Sequence, residues 1–455
     1  MNPILTALIV SSALLSWGAN AAAPATAILL NGTVVTPNTV IQNGWVAIDN
    51  GKIVSVTAAK PKIAAAHTLE TRDIIFPGFI DLHDHPLYNV YPRWTPPQAY
   101  HNRYEWRSAD SYMAAIANPH RAVAAPNFCD MDRFVELKGL IGGTTTTLGI
   151  SQPRDTDISC IAGLARNLDW FTGFYGTTVG QERVQSVLGV QPDDVKYAPA
   201  GLADALKKGD VDMLAIHIAE GQRSDDKTKK EFAELERLGW LTAHTAIIHG
   251  VALTRADFAK VHAAGAALIW SPRSNMELYK ETANVADAAA ENVTIAIAPD
   301  WSPTGSTNML AELKFANKVN DSQFKSVFSA KQLVEMATSV PAKVARIDDK
   351  VGAVKPGLYA DLFLLRGNAA TPYDALVNAS PDDVTLTLVG GVAVSGQLNY
   401  LTALGITKTE QTTLCKAQIA INSAAAGGSL ADAKTRLGKA LTDNGVALGP
   451  MVECD

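Results

Sequence analysis

From about Ile74 to Ala345, short apolar runs alternate with helix-like segments, and this alternation restricts the possible folds more than any other feature of the chain. Ile75–Leu82, Thr144–Ile150, Leu214–Ile218, Ala246–Ile248, Ala266–Trp270 and Thr294–Ala298 all read as buried strands. Parallel neighbours need long crossovers, and the intervening helical stretches supply them. This many βα units in one domain predict an α/β fold, a closed (β/α)8 barrel of the TIM type spanning residues 74–346. Phe171–Thr177 is the candidate for its third strand.

The flanks have a different texture. Ala27–Leu30, Val34–Val35, Gly44–Ile48 and Lys52–Val56 are short β-branched pieces, with Asn31-Gly32 and Asn50-Gly51 as hairpin signals. Tyr359–Leu365 and Val384–Val394 look alike, the latter broken by a Gly-Gly turn. A small β-sandwich built from both ends of the chain, residues 22–73 and 347–400, is therefore expected. The Ala-rich tail, 401–455, reads as helical.

Ile4–Leu15 is apolar and is followed by Ala19-Asn20-Ala21, a small-x-small site. Residues 1–21 thus read as a signal peptide, which predicts a periplasmic or secreted protein. No second stretch is long enough to span a membrane. Four cysteines then permit two disulfides, and Cys129–Cys160 and Cys415–Cys454 are the sensible pairs. A net charge of −6, with no basic run beyond the solvated cluster Lys227–Lys230, argues against a nucleic-acid partner. The expected partner is a small-molecule substrate, with oligomerisation left open.

Chemistry gathers where the apolar runs end. Ile80-Asp81-Leu82 leads into His83-Asp84-His85, and strand residues i and i+2 point to one side. Leu214-Ala215-Ile216 ends in His217, Ile247-Ile248 in His249, and Ile295–Ala298 in Pro299-Asp300. In a βα barrel all these ends face one mouth. Four histidines and a carboxylate there offer the ligand chemistry of Zn²⁺ or Fe²⁺. His67, His101, His120, His244 and His262 show no such placement and read as structural.

Together these segments resemble the amidohydrolase superfamily, in its cytosine deaminase and triazine chlorohydrolase-like branch. The resemblance rests on Phe76-Pro77-Gly78-Phe79-Ile80-Asp81-Leu82-His83-Asp84-His85, on His217-Ile218-Ala219-Glu220, and on His249-Gly250. It continues through Ser271-Pro272-Arg273-Ser274-Asn275 with Leu278, Asp300 with Asn308–Glu312, and Lys355-Pro356-Gly357 with Ala360-Asp361-Leu362. It implies that His83, His85, His217 and Asp300 hold one divalent metal, Zn²⁺ first, with Fe²⁺ or Mn²⁺ as alternatives. It implies that His249 orients the water or the substrate, that Asp300 accepts a proton from the water, and that Glu220 protonates the leaving nitrogen. Relatives with two metals carry a strand-end lysine; Lys196 and Lys207 lie in polar or helical surroundings, so one metal is expected.

Trp270 and Trp301 depart from the family pattern, and an aromatic loop (Tyr88, Tyr91, Arg93, Trp94, Tyr100, Tyr104, Trp106) follows the first barrel strand. These aromatics either line a pocket or pack the loop onto the barrel. The expected function is hydrolysis of a non-peptide C–N bond, by ring deamination or by amide, urea or carbamate cleavage. A small dipeptidase or acyl-amino-acid hydrolase is the alternative, for which Arg93 and Arg273 are the available carboxylate binders. A second alternative, an inactive amidohydrolase-like binding scaffold, would be expected to have lost ligands that are all present here.

Overall fold

The computed structural model describes residues 26–149, 164–168 and 183–454. Its first elements are strands β1 (Ala27–Val35), β2 (Val40–Asp49), β3 (Lys52–Thr57) and β4 (Ala65–Pro77). Asn50 and Gly51 both take positive φ, 49° and 76°, as a two-residue hairpin between β2 and β3 requires. Asn31-Gly32 makes no turn. It lies inside β1 at a bulge, where a Cβ on Gly32 would stand 2.5 Å from the Asp73 carbonyl oxygen.

The run read as one strand, Ile75–Leu82, breaks at Gly78. The Gly78 N–H donates to the Asp361 carbonyl at 2.8 Å, and a Cβ there would meet Thr145 Oγ1 at 2.1 Å. β4 therefore stays with the terminal strands, while β5 (Phe79–Asp81) opens a parallel series. That series continues as β6 (Thr144–Thr147), β7 (Arg166–Asn167), β8 (Val184–Val187), β9 (Met213–Ile218), β10 (Thr245–His249), β11 (Ala267–Trp270) and β12 (Thr294–Ile297). β5-β6-β7 form one parallel sheet and β8 to β12 another, giving a mixed α/β structure. The expected third strand, Phe171–Thr177, lies outside the described residues, as do the expected leader and Cys160. β7 and β8 escape a search for apolar runs because both are short, β7 wholly polar and β8 half polar.

Alternate residues of these strands enter two different clusters, which is why the strands read as continuous apolar runs. Met213, Ala215, Ile248 and Ile269 pack with Ile80 and Leu148 on one side. Leu214, Ile216, Ile247 and Leu268 pack against Phe232, Phe258 and Leu313 of the surrounding helices on the other.

Past the parallel strands come β13 (Leu362–Leu365), β14 (Val384–Val389), β15 (Val392–Gly396), β16 (Thr409–Leu414) and β17 (Ala417–Asn422). The two ends of the chain meet where β13 pairs antiparallel with β4, in one nine-stranded sheet ordered β16-β17-β15-β14-β13-β4-β1-β2-β3. The tail is thus not simply helical: residues 409–422 extend this sheet, and the helix Leu430–Thr442 comes only afterwards. The polar pattern of Thr409–Leu414 conceals a strand that gains its hydrogen bonds from β17. Cys415 and Cys454 are disulfide-bonded, as expected. No helix of the described residues is long and apolar enough to cross a membrane.

Phe363 joins the two parts. Its ring stacks on Phe76 at 5.5 Å between centroids, lies 4.8 Å from Phe79, and is fully buried. Phe363→Ala should cost about 3–5 kcal/mol in urea unfolding, and Phe363→Leu clearly less; equal losses would show that this packing does not hold the parts together.

Candidate active site

The reactive groups sit at the ends of four parallel strands. His83 and His85 follow β5, His217 and His249 close β9 and β10, and Asp300 follows β12. Backbone bonds tie the first and last of these ends: Asp300 N–H donates to His83 O at 3.0 Å, and His85 N–H to Asp300 O at 2.7 Å. His249 shares its strand parity with Ile247, which faces the helices. A left-handed backbone, φ 70°, accompanies its return to the cluster; Asp300 (69°) and Ala219 (56°) are similar. Non-glycine residues in this region are strained and gather where function requires them.

The result is a dense donor set. His83 Nε2 lies 3.0 Å and His85 Nε2 3.5 Å from Asp300 Oδ1. The His83 ring centroid is 4.7 Å from that of His217 and 5.2 Å from that of His249. Ligand atoms of His83, His85 and His217 lie within 4.8 Å of one another, as do those of His83, His249 and Asp300. Burial lowers the imidazoles, His83 and His249 to about 3, His85 to about 4, and His217 well below its ordinary value. They are neutral at physiological pH and keep a lone pair. His217 Nδ1 is buried with no hydrogen-bond partner. Neutral imidazoles, one carboxylate and an orphaned ring nitrogen fit a divalent metal such as Zn²⁺.

Glu220 lies on the turn leaving β9. Its Oε1 accepts the Tyr279 hydroxyl at 2.6 Å, and Tyr279 Oη accepts the Trp106 indole N–H at 2.8 Å. The other oxygen, Oε2, stands 3.7 Å from His249 Nε2. Burial pushes the Glu220 carboxyl up to about 8, against a lowering by the Arg103 charge.

One short helix, Pro272–Tyr279, organises these groups. Ser274 Oγ donates to Asp300 Oδ2 at 2.5 Å, Asn275 Nδ2 contacts His249 Nδ1 at 2.9 Å, and Tyr279 holds Glu220. The helix start is in turn held by Glu312, which accepts the Arg273 N–H at 3.1 Å and the Ser306 hydroxyl at 2.5 Å.

A cavity of about 230 Å³ opens above the cluster, walled by Tyr88, Trp106, Tyr112 and Trp301. The aromatic loop therefore divides. Tyr88 and Trp106 face the cavity, whereas Tyr91, Trp94 and Tyr100 are buried in the packing and Tyr104 donates to Glu231. Arg103 and Arg107 also line the cavity; Arg103 is neutralised by Asp194 at 2.7 Å. Arg93 and Arg273 bind no open site: Glu277 and Glu453 engage Arg93, and Glu453 engages Arg273. Lys196 and Lys207 are exposed.

The remaining histidines stay outside the cluster; His120 stacks on Tyr88 at 3.9 Å. Sequence reasoning missed Arg103, Tyr112 and Tyr279. The signal for Tyr279 was faint, one position past Leu278 of the recognised segment, and Arg103 is marked only by a partner far along the chain.

Residues 74–394 match the sequence profile of the Amidohydrolase family. A 5-methylthioadenosine/S-adenosylhomocysteine deaminase of Desulforudis audaxviator is 25% identical over 400 residues, covering 79% of this chain and 91% of the relative. Among solved structures, an adenosine deaminase from Xanthomonas campestris with bound zinc aligns with a TM-score of 0.61 at 18% identity, over 81% of this chain and 93% of its own. A mutant atrazine chlorohydrolase from Arthrobacter aurescens TC1, complexed with zinc and atraton, aligns at 0.66 and 19%, over 81% and 95%.

Loss of the hydroxyl that orients a ligating carboxylate weakens metal binding by about 10–100-fold in comparable sites. Ser274→Ala should do so here, read by chelator competition for Zn²⁺; unchanged affinity would mean that Asp300 does not depend on this contact.

Proposed function

We propose, on the premise that the chain belongs to the amidohydrolase family, that it is a metal-dependent hydrolase of non-peptide C–N bonds that deaminates a small heteroaromatic amine. The observation that carries this reading is the state of Glu220. Burial pushes this carboxyl up to about 8, toward its protonated form, and with Oε1 engaged by Tyr279 the residue lines the aromatic-walled cavity. A proton donor placed beside a slot for a flat ring suits protonation of a ring nitrogen. The cavity, about 230 Å³, is below the usual range for drug-sized ligands and suits a heterocycle better than a peptide. Arg93 and Arg273, the carboxylate binders that the dipeptidase alternative called on, are engaged by Glu277 and Glu453 instead. The deaminase names of several relatives point the same way.

His83, His85, His217 and Asp300 would hold one divalent cation, Zn²⁺ first, which when bound supplies water acidified toward neutral pH. The chain's own groups do the rest. Tyr88, Trp106, Tyr112 and Trp301 stack the ring and exclude bulk water. Asp300 takes the proton released as water adds to the amino-bearing carbon. Glu220 gives its proton to the adjacent ring nitrogen, and His249 Nε2, 3.7 Å from Glu220 Oε2, stands beside the same atoms. Once the carbon is tetrahedral, Asp300 passes its proton to the amino group, the C–N bond breaks to release ammonia, and the hydroxyl proton goes to Glu220 as the carbonyl forms, restoring both carboxyls.

We propose further that β5 to β12 close as a (β/α)8 barrel, supported by the bonds joining Asp300 to His83 and His85, and that the nine-stranded sheet folds over as the expected sandwich. Periplasmic or secreted location also belongs to this proposal, on the strength of the leader-like sequence of residues 1–21 and the Cys415–Cys454 disulfide.

Two substitutions separate binding from chemistry. His217→Ala should abolish retention of metal in elemental analysis. Glu220→Gln should retain it yet lose about 10²–10⁴-fold in ammonia release from aminated heterocycles. A fully active Glu220→Gln enzyme would remove the proton-donor assignment, and amide or carbamate turnover without ammonia release from any ring would remove the deaminase reading.

A further inference from the structure

His249 has two ring nitrogens, and its surroundings decide which one carries the proton. Nδ1 lies 2.9 Å from Nδ2 of Asn275. At the other end of that amide, Oδ1 receives the Thr282 hydroxyl at 3.3 Å, and Thr282 Oγ1 receives the Trp270 indole N–H at 2.8 Å. All four side chains are buried: 0% exposed at Trp270 and Asn275, 1% at His249 and 2% at Thr282. In such a place each polar hydrogen needs an acceptor.

An indole nitrogen can only donate. It fills one lone pair of Thr282 Oγ1, and the hydroxyl proton goes to Asn275 Oδ1. That orients the amide so that its nitrogen faces the imidazole. An amide nitrogen offers no lone pair, so His249 Nδ1 must accept and the ring proton sits on Nε2. The amide turned over would take Oδ1 away from the Thr282 hydroxyl and would demand the opposite tautomer.

We infer that Trp270 and Thr282 are positioning residues that act through Asn275 to keep the His249 proton on Nε2, making this imidazole a hydrogen-bond donor in the cavity and excluding it from the metal's ligand set. The exclusion matters because the ligand atoms of His249 lie close enough to those of His83 and Asp300 to share an ion with them. A protonated Nε2 has no lone pair to give. It instead directs a donor toward the space beside Glu220 Oε2. The inference also accounts for Trp270, which departs from the family pattern: from the strand end it supplies the first donor of the chain. Its consequence for turnover rests on the deaminase reading; the tautomer itself does not.

The test is two-bond 1H–15N correlation spectroscopy on the full-length protein with 15N-labelled histidine, recorded with Zn²⁺ and after chelation. The His249 signals are assigned by their loss in His249→Asn. The wild type should show an unprotonated Nδ1 and a protonated Nε2 for His249, with and without metal. Thr282→Val should move proton density to Nδ1 and lower kcat about 10–100-fold with KM little changed, and Thr282→Ser should restore the wild-type pattern. A wild-type His249 protonated at Nδ1 overturns the inference, whether or not Thr282→Val folds. So does a folded Thr282→Val protein with an unaltered His249 pattern. If the tautomer follows Thr282 while no ring amine is deaminated, the relay stands and the deaminase reading fails.

Discussion

The contact between Glu312 and the start of the Pro272–Tyr279 helix anchors the arrangement of the site. A buried carboxyl accepts the Arg273 N–H at one oxygen and the Ser306 hydroxyl at the other, fixing where the helix begins. From that origin the helix reaches three of the reactive groups. Ser274 and Asn275 leave its first turn toward Asp300 and His249, and Tyr279 leaves its last toward Glu220. Asp300, His249 and Glu220, from three different strand ends, thus share one support. A small rigid shift of this helix would misplace all three together, which is the sense in which supporting contacts tune a site as much as its ligands do.

Burial sets the chemistry of what is held. The same exclusion of water lowers the histidines and raises Glu220, because each shift disfavours a charged form. The two effects run in opposite senses: the imidazoles keep their lone pairs, and the carboxyl is pushed toward its protonated form. Left-handed backbone at His249, Asp300 and Ala219 is the conformational cost of turning side chains at strand ends into one small volume.

The site was more legible in the sequence than the frame around it. His83, His85, His217, His249 and Asp300 each follow an apolar run, so strand ends place them along one edge, and left-handed backbone at His249 and Asp300 accompanies their turn into the cluster. Glu220 and the Ser271–Asn275 segment were found through resemblance. Tyr279 was not, since a tyrosine on a short helix reads equally well as core. The frame failed where local pattern and tertiary partner disagree. Asn31-Gly32 has turn composition, yet β4 on one side and β2 on the other hold it extended. Thr409–Leu414 has no apolar face of its own, and pairing with β17 makes it a strand. The break at Gly78 depends on Thr145 and Asp361, and neither is near it in sequence.

The same non-local logic explains how the far end of the chain bears on the site. The Cys415–Cys454 bond fastens the tail to the end of β16, and this places Glu453 between Arg93 and Arg273. Arg93 belongs to the loop that carries Tyr88 and Trp106 into the cavity wall. Arg273 belongs to the helix that supports Asp300, His249 and Glu220. A single carboxylate therefore ties the wall of the cavity to the support of its chemistry, and a disulfide holds that carboxylate in register. Two arginines that the sequence offers as binders of a substrate anion are instead held by carboxylates away from the cavity, whose lining combines the aromatic walls, Arg103 and Arg107 with the strand-end cluster beneath them.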